Sequence, residues 1–140
     1  MKSRVLILCT GNSCRSQMAE GLLRFMAADR IEAYSAGTDP HGIHPDAVVA
    51  MDEMGIDIRG HESEHVDTYL GFGIDTVITV CERASSNCPT FPERVGRVHW
   101  SFDDPASAQG GDEERRAVFR RVRDEIAASL RSWLDKGCPA

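Results

Sequence analysis

The strand-like segments of this chain are mostly apolar rather than strictly alternating, and they are interleaved with helical stretches. Val5–Leu8, Ile31–Ala36, Thr76–Val80 and Val98–Trp100 carry this pattern, with no polar residue at every second position to mark a solvated sheet face. Between and after them, Ser16–Ala28 places Met18, Leu22, Leu23 and Met26 on one helical face, and His44–Met54 does the same with Ala47, Val48, Met51 and Met54. Pro45 suits a first helical turn, and Gly55 a stop. Asp112–Leu134 carries a longer stripe of Phe119, Val122, Ile126, Leu130 and Trp133, with acidic residues in its first turn. Short apolar strands alternating with amphipathic helices predict an α/β fold with a parallel sheet covered on both faces. At 140 residues this is one domain, spanning 1–140. Such sheets bind ligands beyond the carboxyl ends of their strands, here just after Leu8, Ala36, Val80 and Trp100.

Charge narrows the partners. The 16 basic and 22 acidic residues give a net charge of −6, and the arginines near the C-terminus are balanced by neighbouring acids, so neither nucleic acid nor an anionic membrane is an expected partner. A small anion must be held locally, by backbone N–H groups and a specific cation. Apolar runs such as Val5–Leu8 and Ala47–Met51 are far too short to cross a bilayer, and Met1–Arg4 lacks an apolar signal segment, so the expectation is a cytoplasmic protein. The cysteines number five, which is odd, and a full disulfide framework is not expected.

Directly after the first strand comes Cys9-Thr10-Gly11-Asn12-Ser13-Cys14-Arg15-Ser16, and then helix. Successive N–H groups in such a turn converge into an anion nest, and the helix start adds more. Arg15 can grip two oxygens of a tetrahedral oxyanion. The same field should lower the Cys9 pKa and make it a nucleophile. Residues 9–16 are therefore the candidate anion site, with Thr10, Gly11, Asn12, Ser13, Cys14, Arg15 and Ser16 as its lining. Asn12 and Ser16 are expected to hold the loop by hydrogen bonds.

These motifs carry a family resemblance. CTGNSCRS, the SAGT at Ser35–Thr38 and Asp104-Pro105 resemble the low-molecular-weight protein tyrosine phosphatase fold. Within it, Cys9–Gly21, Val77–Pro89, His99–Ala106 and Arg121–Ile126 are most similar to the thioredoxin-coupled arsenate reductases. The resemblance implies a single four-stranded parallel sheet flanked by helices, with Cys9 as the attacking thiolate. It also implies arsenical detoxification with thioredoxin as reductant, phosphate or sulfate as substrate analogues, and no tightly bound cofactor. Asn12, Glu20 and Ser35 match positions that form a potassium site in some relatives, with Glu64 standing where relatives often carry Asp. A monomer is expected.

Cys81 follows a strand and Cys88 lies seven residues on. If residues 82–87 are helical, these Cα atoms lie about 10.5 Å apart. A disulfide needs roughly 4.4–6.8 Å, so pairing requires the segment to unwind. Ser85, Ser86 and Asn87 are weak helix formers, which makes unwinding easy. Phosphate ester hydrolysis needs no such pair, whereas reducing arsenate to arsenite needs two electrons, which a dithiol supplies. The expected relay runs from Cys9 to Cys81 to Cys88, with Asp104 protonating the departing oxygen and Asp103 competing for that role. Ala106 and the loop Gly37–Gly42 lack the aromatics that would sandwich a phosphotyrosine ring. The alternatives left open are a protein tyrosine phosphatase of the same fold, with which residual phosphatase activity is shared, and a non-catalytic redox sensor. His61-Glu62-Ser63-Glu64-His65 fits a zinc-protease pattern but has no apolar helical flank and no third ligand. Cys14 and Cys138 receive no required role, and the tail holding Cys138 is expected to fray.

Overall fold

The computed structural model describes residues 2–92 and 94–140. Four strands, β1 (Ser3–Cys9), β2 (Ile31–Gly37), β3 (Thr76–Thr79) and β4 (Gly96–His99), form one sheet in the order β2-β1-β3-β4. Every pairing is parallel. Helices α1 (Arg15–Ala27), α2 (Pro45–Asp52), α3 (Glu82–Ser86) and α4 (Asp112–Asp135) connect and cover it. Val5 through Cys9 are all buried, which is possible only when both faces of the central strand are covered. α4 packs against α1 and α2 through Phe119, Val122, Ile126, Leu130 and Trp133, the stripe that the periodicity predicts.

The differences from the expected elements have local causes. β4 starts at Gly96 rather than Val98 and ends at His99, because it is an edge strand whose residues alternate between half-buried and exposed. α2 ends at Asp52, and Met54 is exposed on the turn that follows, where Gly55 takes φ +76°. Short 3-10 turns at Val66–Tyr69 and Pro105–Ser107 carry no hydrophobic period and are invisible to a periodicity reading. The C-terminal tail does not fray: Trp133 Nε1 donates to the Pro139 carbonyl at 2.8 Å, and the Cys138 amide to the Trp133 carbonyl at 2.9 Å. Among the described residues, no helix is long and apolar enough to cross a membrane.

Register places the chemistry. β1 and β3 are neighbours with Leu8 opposite Thr79, so the residues just beyond each, Cys9 and Cys81, emerge on the same rim.

Candidate active site

The loop after β1 turns its carbonyls outward. Those of Cys9, Thr10, Gly11 and Ser13 accept from the amides of Thr38, Asp39, His41 and His44 at 2.8–3.3 Å. The loop's own amides from Gly11 to Arg15 donate to no acceptor among the described residues, so they remain for an anion. Asn12 makes the reversal in the left-handed region, φ 46°, which Asn tolerates better than most residues. It is fully buried, and its side chain is bonded at both polar atoms: its Nδ2 donates to Ser16 Oγ at 2.9 Å, and its Oδ1 accepts from the Glu64 amide and Gln17 Nε2. Its carbonyl accepts from Gln17 Nε2 and Ser63 Oγ. Gly37, the glycine of the SAGT motif, is needed here, since a Cβ at this position would come within 2.9 Å of the Asn12 amide and nearer still to the Thr10 carbonyl.

Cys9, Thr10, Gly11, Ser13, Cys14 and Arg15 line one cleft with His41, Cys81, Arg83, Asp104 and Ala106. Arg15 anchors through Nη1 to the Phe102 carbonyl at 3.1 Å, and its Nη2 lies 3.9 Å from Asp104. Its Nε is buried with no partner, the one such side-chain nitrogen or oxygen among the described residues. A buried donor without an acceptor is costly unless a ligand supplies one. Asp104 caps the Pro105–Ser107 turn by accepting from the Ala106 amide. Asp103 points elsewhere and pairs with Arg121 at 3.0 Å.

The Cys9 and Cys81 sulfurs are 3.8 Å apart, and both are buried. Thr10 Oγ1 lies 3.4 Å from Cys81 Sγ, and the Ala84 amide donates to that sulfur at 3.4 Å. Two thiols this close share a proton. The hydrogen bond from Cys9 pulls Cys81 far below the ordinary thiol range, against the opposing effect of burial and with help from Thr10, Ala84 and Arg15. Cys9 is pushed up, first by that same hydrogen bond and then by burial, which together outweigh Arg15 and the Thr10 amide. The two thiols titrate as one unit, the hydrogen bond between them drawing Cys81 down as it pushes Cys9 up, a coupling that no local motif discloses. Cys14 is buried and pushed up to about 12 by desolvation.

Cys81 caps the N-terminus of α3, and Cys88 lies two residues beyond its last helical residue, so a helix does separate the two thiols, the condition under which their pairing requires unwinding. Cys88 is half-buried and accepts from Arg97 Nη1 at 3.0 Å.

The residues expected to hold potassium are close together but already occupied. Glu20 takes Ser35 Oγ on one oxygen at 2.5 Å and Arg24 Nη2 on the other at 2.9 Å, while His61 Nδ1 lies 3.7 Å away. Arg24 also donates to the Ala33 carbonyl. The Asn12 side-chain oxygen already serves two donors, and Glu64 hydrogen-bonds Tyr69. A bare cation does not fit this committed set. No group of three His, Cys, Asp or Glu suited to a metal is found among the described residues. His61 and His65 share no helix: His61 faces Gln17, and His65 caps the Val66–Tyr69 turn.

Sequence reasoning missed Gln17, Ser63 and His61, which support Asn12 from behind. Gln17 had a signal, being polar one residue into the helix after the loop, but Ser63 and His61 are brought in by the tertiary fold alone.

The model of the low molecular weight phosphotyrosine protein phosphatases matches residues 4–137. The chain belongs to that family. It is 50% identical over 136 residues to an arsenate reductase of Halalkalibacterium halodurans, covering 97% of this chain and 98% of the relative. It is 48% identical over 138 residues to an arsenate reductase of Bacillus subtilis, covering 98% and 99%. A solved arsenate reductase in the phosphate binding state superposes with a TM-score of 0.76 at 31% identity, covering 97% of this chain and 98% of that one.

Proposed function

We propose that this chain reduces arsenate to arsenite with three of its own thiols. The observation that carries the reading is the pair of sulfurs, Cys9 and Cys81, 3.8 Å apart at the floor of the oxyanion cradle. A hydrolase needs only the first of them. Among the described residues no Phe, Tyr or Trp lines the cleft, so it offers no large aromatic face to stack on a phosphotyrosine ring.

Arsenate enters the loop amides and the free Nε of Arg15. Cys9 passes its proton across the existing contact to Cys81 and attacks arsenic. An As–S bond forms, an As–O bond breaks, and Asp104 protonates the oxygen that leaves as water. Cys81 gives up its proton to the carboxylate that Asp104 has become and attacks the Cys9 sulfur. The S–As bond breaks with its electron pair remaining on arsenic, so arsenic(V) leaves as arsenite and a Cys9–Cys81 disulfide remains. The sulfurs must close from 3.8 Å to about 2.05 Å, a movement well within side-chain reach. Cys88 then attacks Cys81, forming Cys81–Cys88 and returning Cys9 as a thiolate. A thioredoxin-class dithiol reduces that disulfide, in the reducing environment of a cytoplasm, and the chain acts as a monomer. Phosphate and sulfate compete for the cradle. Arg24 supplies, on Glu20, the positive charge that a potassium ion supplies elsewhere.

The test is arsenite production with thioredoxin, thioredoxin reductase and NADPH, and mass spectrometry of the disulfides after one cycle. Cys88→Ser should stop at Cys9–Cys81 after one turnover, and Cys81→Ser should release no arsenite. Repeated turnover in both would overturn the relay. Peroxide-driven disulfide formation with no arsenite under any reductant would make the chain a redox sensor instead.

A further inference from the structure

Helix α3 is the element that the relay must take apart, because Cys88 reaches Cys81 only after it unwinds. Five residues make a marginal helix, and of them only Ala84 is buried. Its persistence therefore rests on ties at its ends. The Cys81 sulfur accepts the Ala84 amide at the N-terminus, a tie that the reaction itself loosens when Cys81 turns toward Cys9. The other ties come from β4. Glu82 Oε1, at the first helical residue, meets His99 Nε2 at 3.2 Å and accepts from Ser101 Oγ. His99 is in turn held through Nδ1 by Thr79 Oγ1 at 2.7 Å. Beyond the far end, Arg97 grips twice: Nη1 donates to Cys88 Sγ at 3.0 Å, and Nη2 to the Pro89 carbonyl at 3.3 Å. Arg97 and His99 are alternate residues of β4, so both project from the same face of the strand.

We propose that Arg97 and His99 are positioning residues of the relay: a clamp on the edge strand that keeps Cys88 apart from Cys81 until Cys81 has been committed to Cys9. This rests on the relay reading. The clamp answers a hazard built into any such chain. A peroxide takes two electrons from Cys81 and Cys88 directly, giving their disulfide and two waters, and so withdraws the second and third thiols before arsenate has been reduced. Holding Cys88 by its sulfur and by the next carbonyl blocks that short circuit. Once Cys81 is bound to Cys9, the N-terminal tie is gone, the weakened helix opens, and Cys88 leaves Arg97 to attack.

The experiment exposes the fully reduced protein to hydrogen peroxide without arsenate, and follows Cys81–Cys88 formation by alkylation and mass spectrometry. Arg97→Ala and His99→Ala should each speed it by about 3- to 10-fold, the span supported by loss of one exposed charge-assisted hydrogen bond. Arg97→Lys, which keeps the charge but can hold only one of the two acceptors at a time, should return part of the protection. Amide exchange at Ala84, Ser85 and Asn87 should quicken in step in the reduced alanine variants, while the α4 amides do not change. Wild-type oxidation rates in both alanine variants would overturn the clamp. Failure of the relay itself shows separately, as repeated arsenate turnover by Cys88→Ser.

Discussion

Cys9 and Cys81 lie 72 residues apart in the chain, yet the Cys9 sulfur donates to the Cys81 sulfur across 3.8 Å, because β1 and β3 are paired neighbours ending at the same rim. The nucleophile and its first relay partner are thus one ionisable unit.

That unit has a distinctive titration. The first proton leaves with Cys81 lowered to about 5, so modification of the pair by iodoacetamide should rise through pH 5 instead of near the ordinary thiol value of about 8.5. Cys9→Ala removes the S–H donor and should move that midpoint upward. The linkage sign follows from a lowered native value. The stability contributed by Cys81 is complete above the unfolded thiol value and is lost as pH falls through about 5. The gap in urea midpoint between wild type and Cys81→Ala should accordingly widen from pH 5 to pH 8.

Arg15→Lys tests the orphaned Nε. A lysine keeps the charge but cannot both hold the Phe102 carbonyl and aim a second donor into the cradle. The expected loss is about 10²–10³ in kcat/KM for arsenate, the scale for removing one preorganised oxyanion donor. Circular dichroism should report an unchanged fold.

Gly37→Ala forces a methyl group against the Thr10 carbonyl and the Asn12 amide. Backbone cannot give way as a flexible side chain can. A destabilisation of about 1–3 kcal/mol is expected from urea melts. Phosphate affinity, read by calorimetry, should fall further than stability alone explains, because the displaced atoms belong to the cradle.

Arg24→Ala leaves the buried Glu20 carboxylate with Ser35 and without its cation. Arg24 is half exposed, so the direct cost is about 1 kcal/mol. The sharper readout is ion selectivity. The melting temperature of wild type should be the same in KCl and NaCl at equal ionic strength, whereas the variant should gain selectively from potassium.

Asp46 anchors α4 to α2. Burial raises its pKa, but hydrogen bonds and charge from Arg115 and Arg116 win, and the net shift is downward. Asp46→Asn should cost about 1–3 kcal/mol at pH 7, measured by urea denaturation. The contribution is present above the ordinary Asp value and disappears as pH falls through the lowered one.

The alternation of apolar strands with amphipathic helices, the anion loop between β1 and α1, and the seven-residue spacing of Cys81 and Cys88 were all legible in the amino-acid order. Each is a local property, set by side-chain periodicity, turn chemistry or the rise of a helix. What only the tertiary structure decided is which atoms of separate elements share a proton, a hydrogen bond or an ion pair: Cys81 coupled to Cys9, Ser35 bonded to Glu20, Ser63 and His61 supporting the loop from behind, and β4 gripping both ends of α3. Those outcomes depend on strand register and on burial, which bring together side chains from different elements and change electrostatic energies over a few ångströms, and the periodicity of a local stretch carries no record of either.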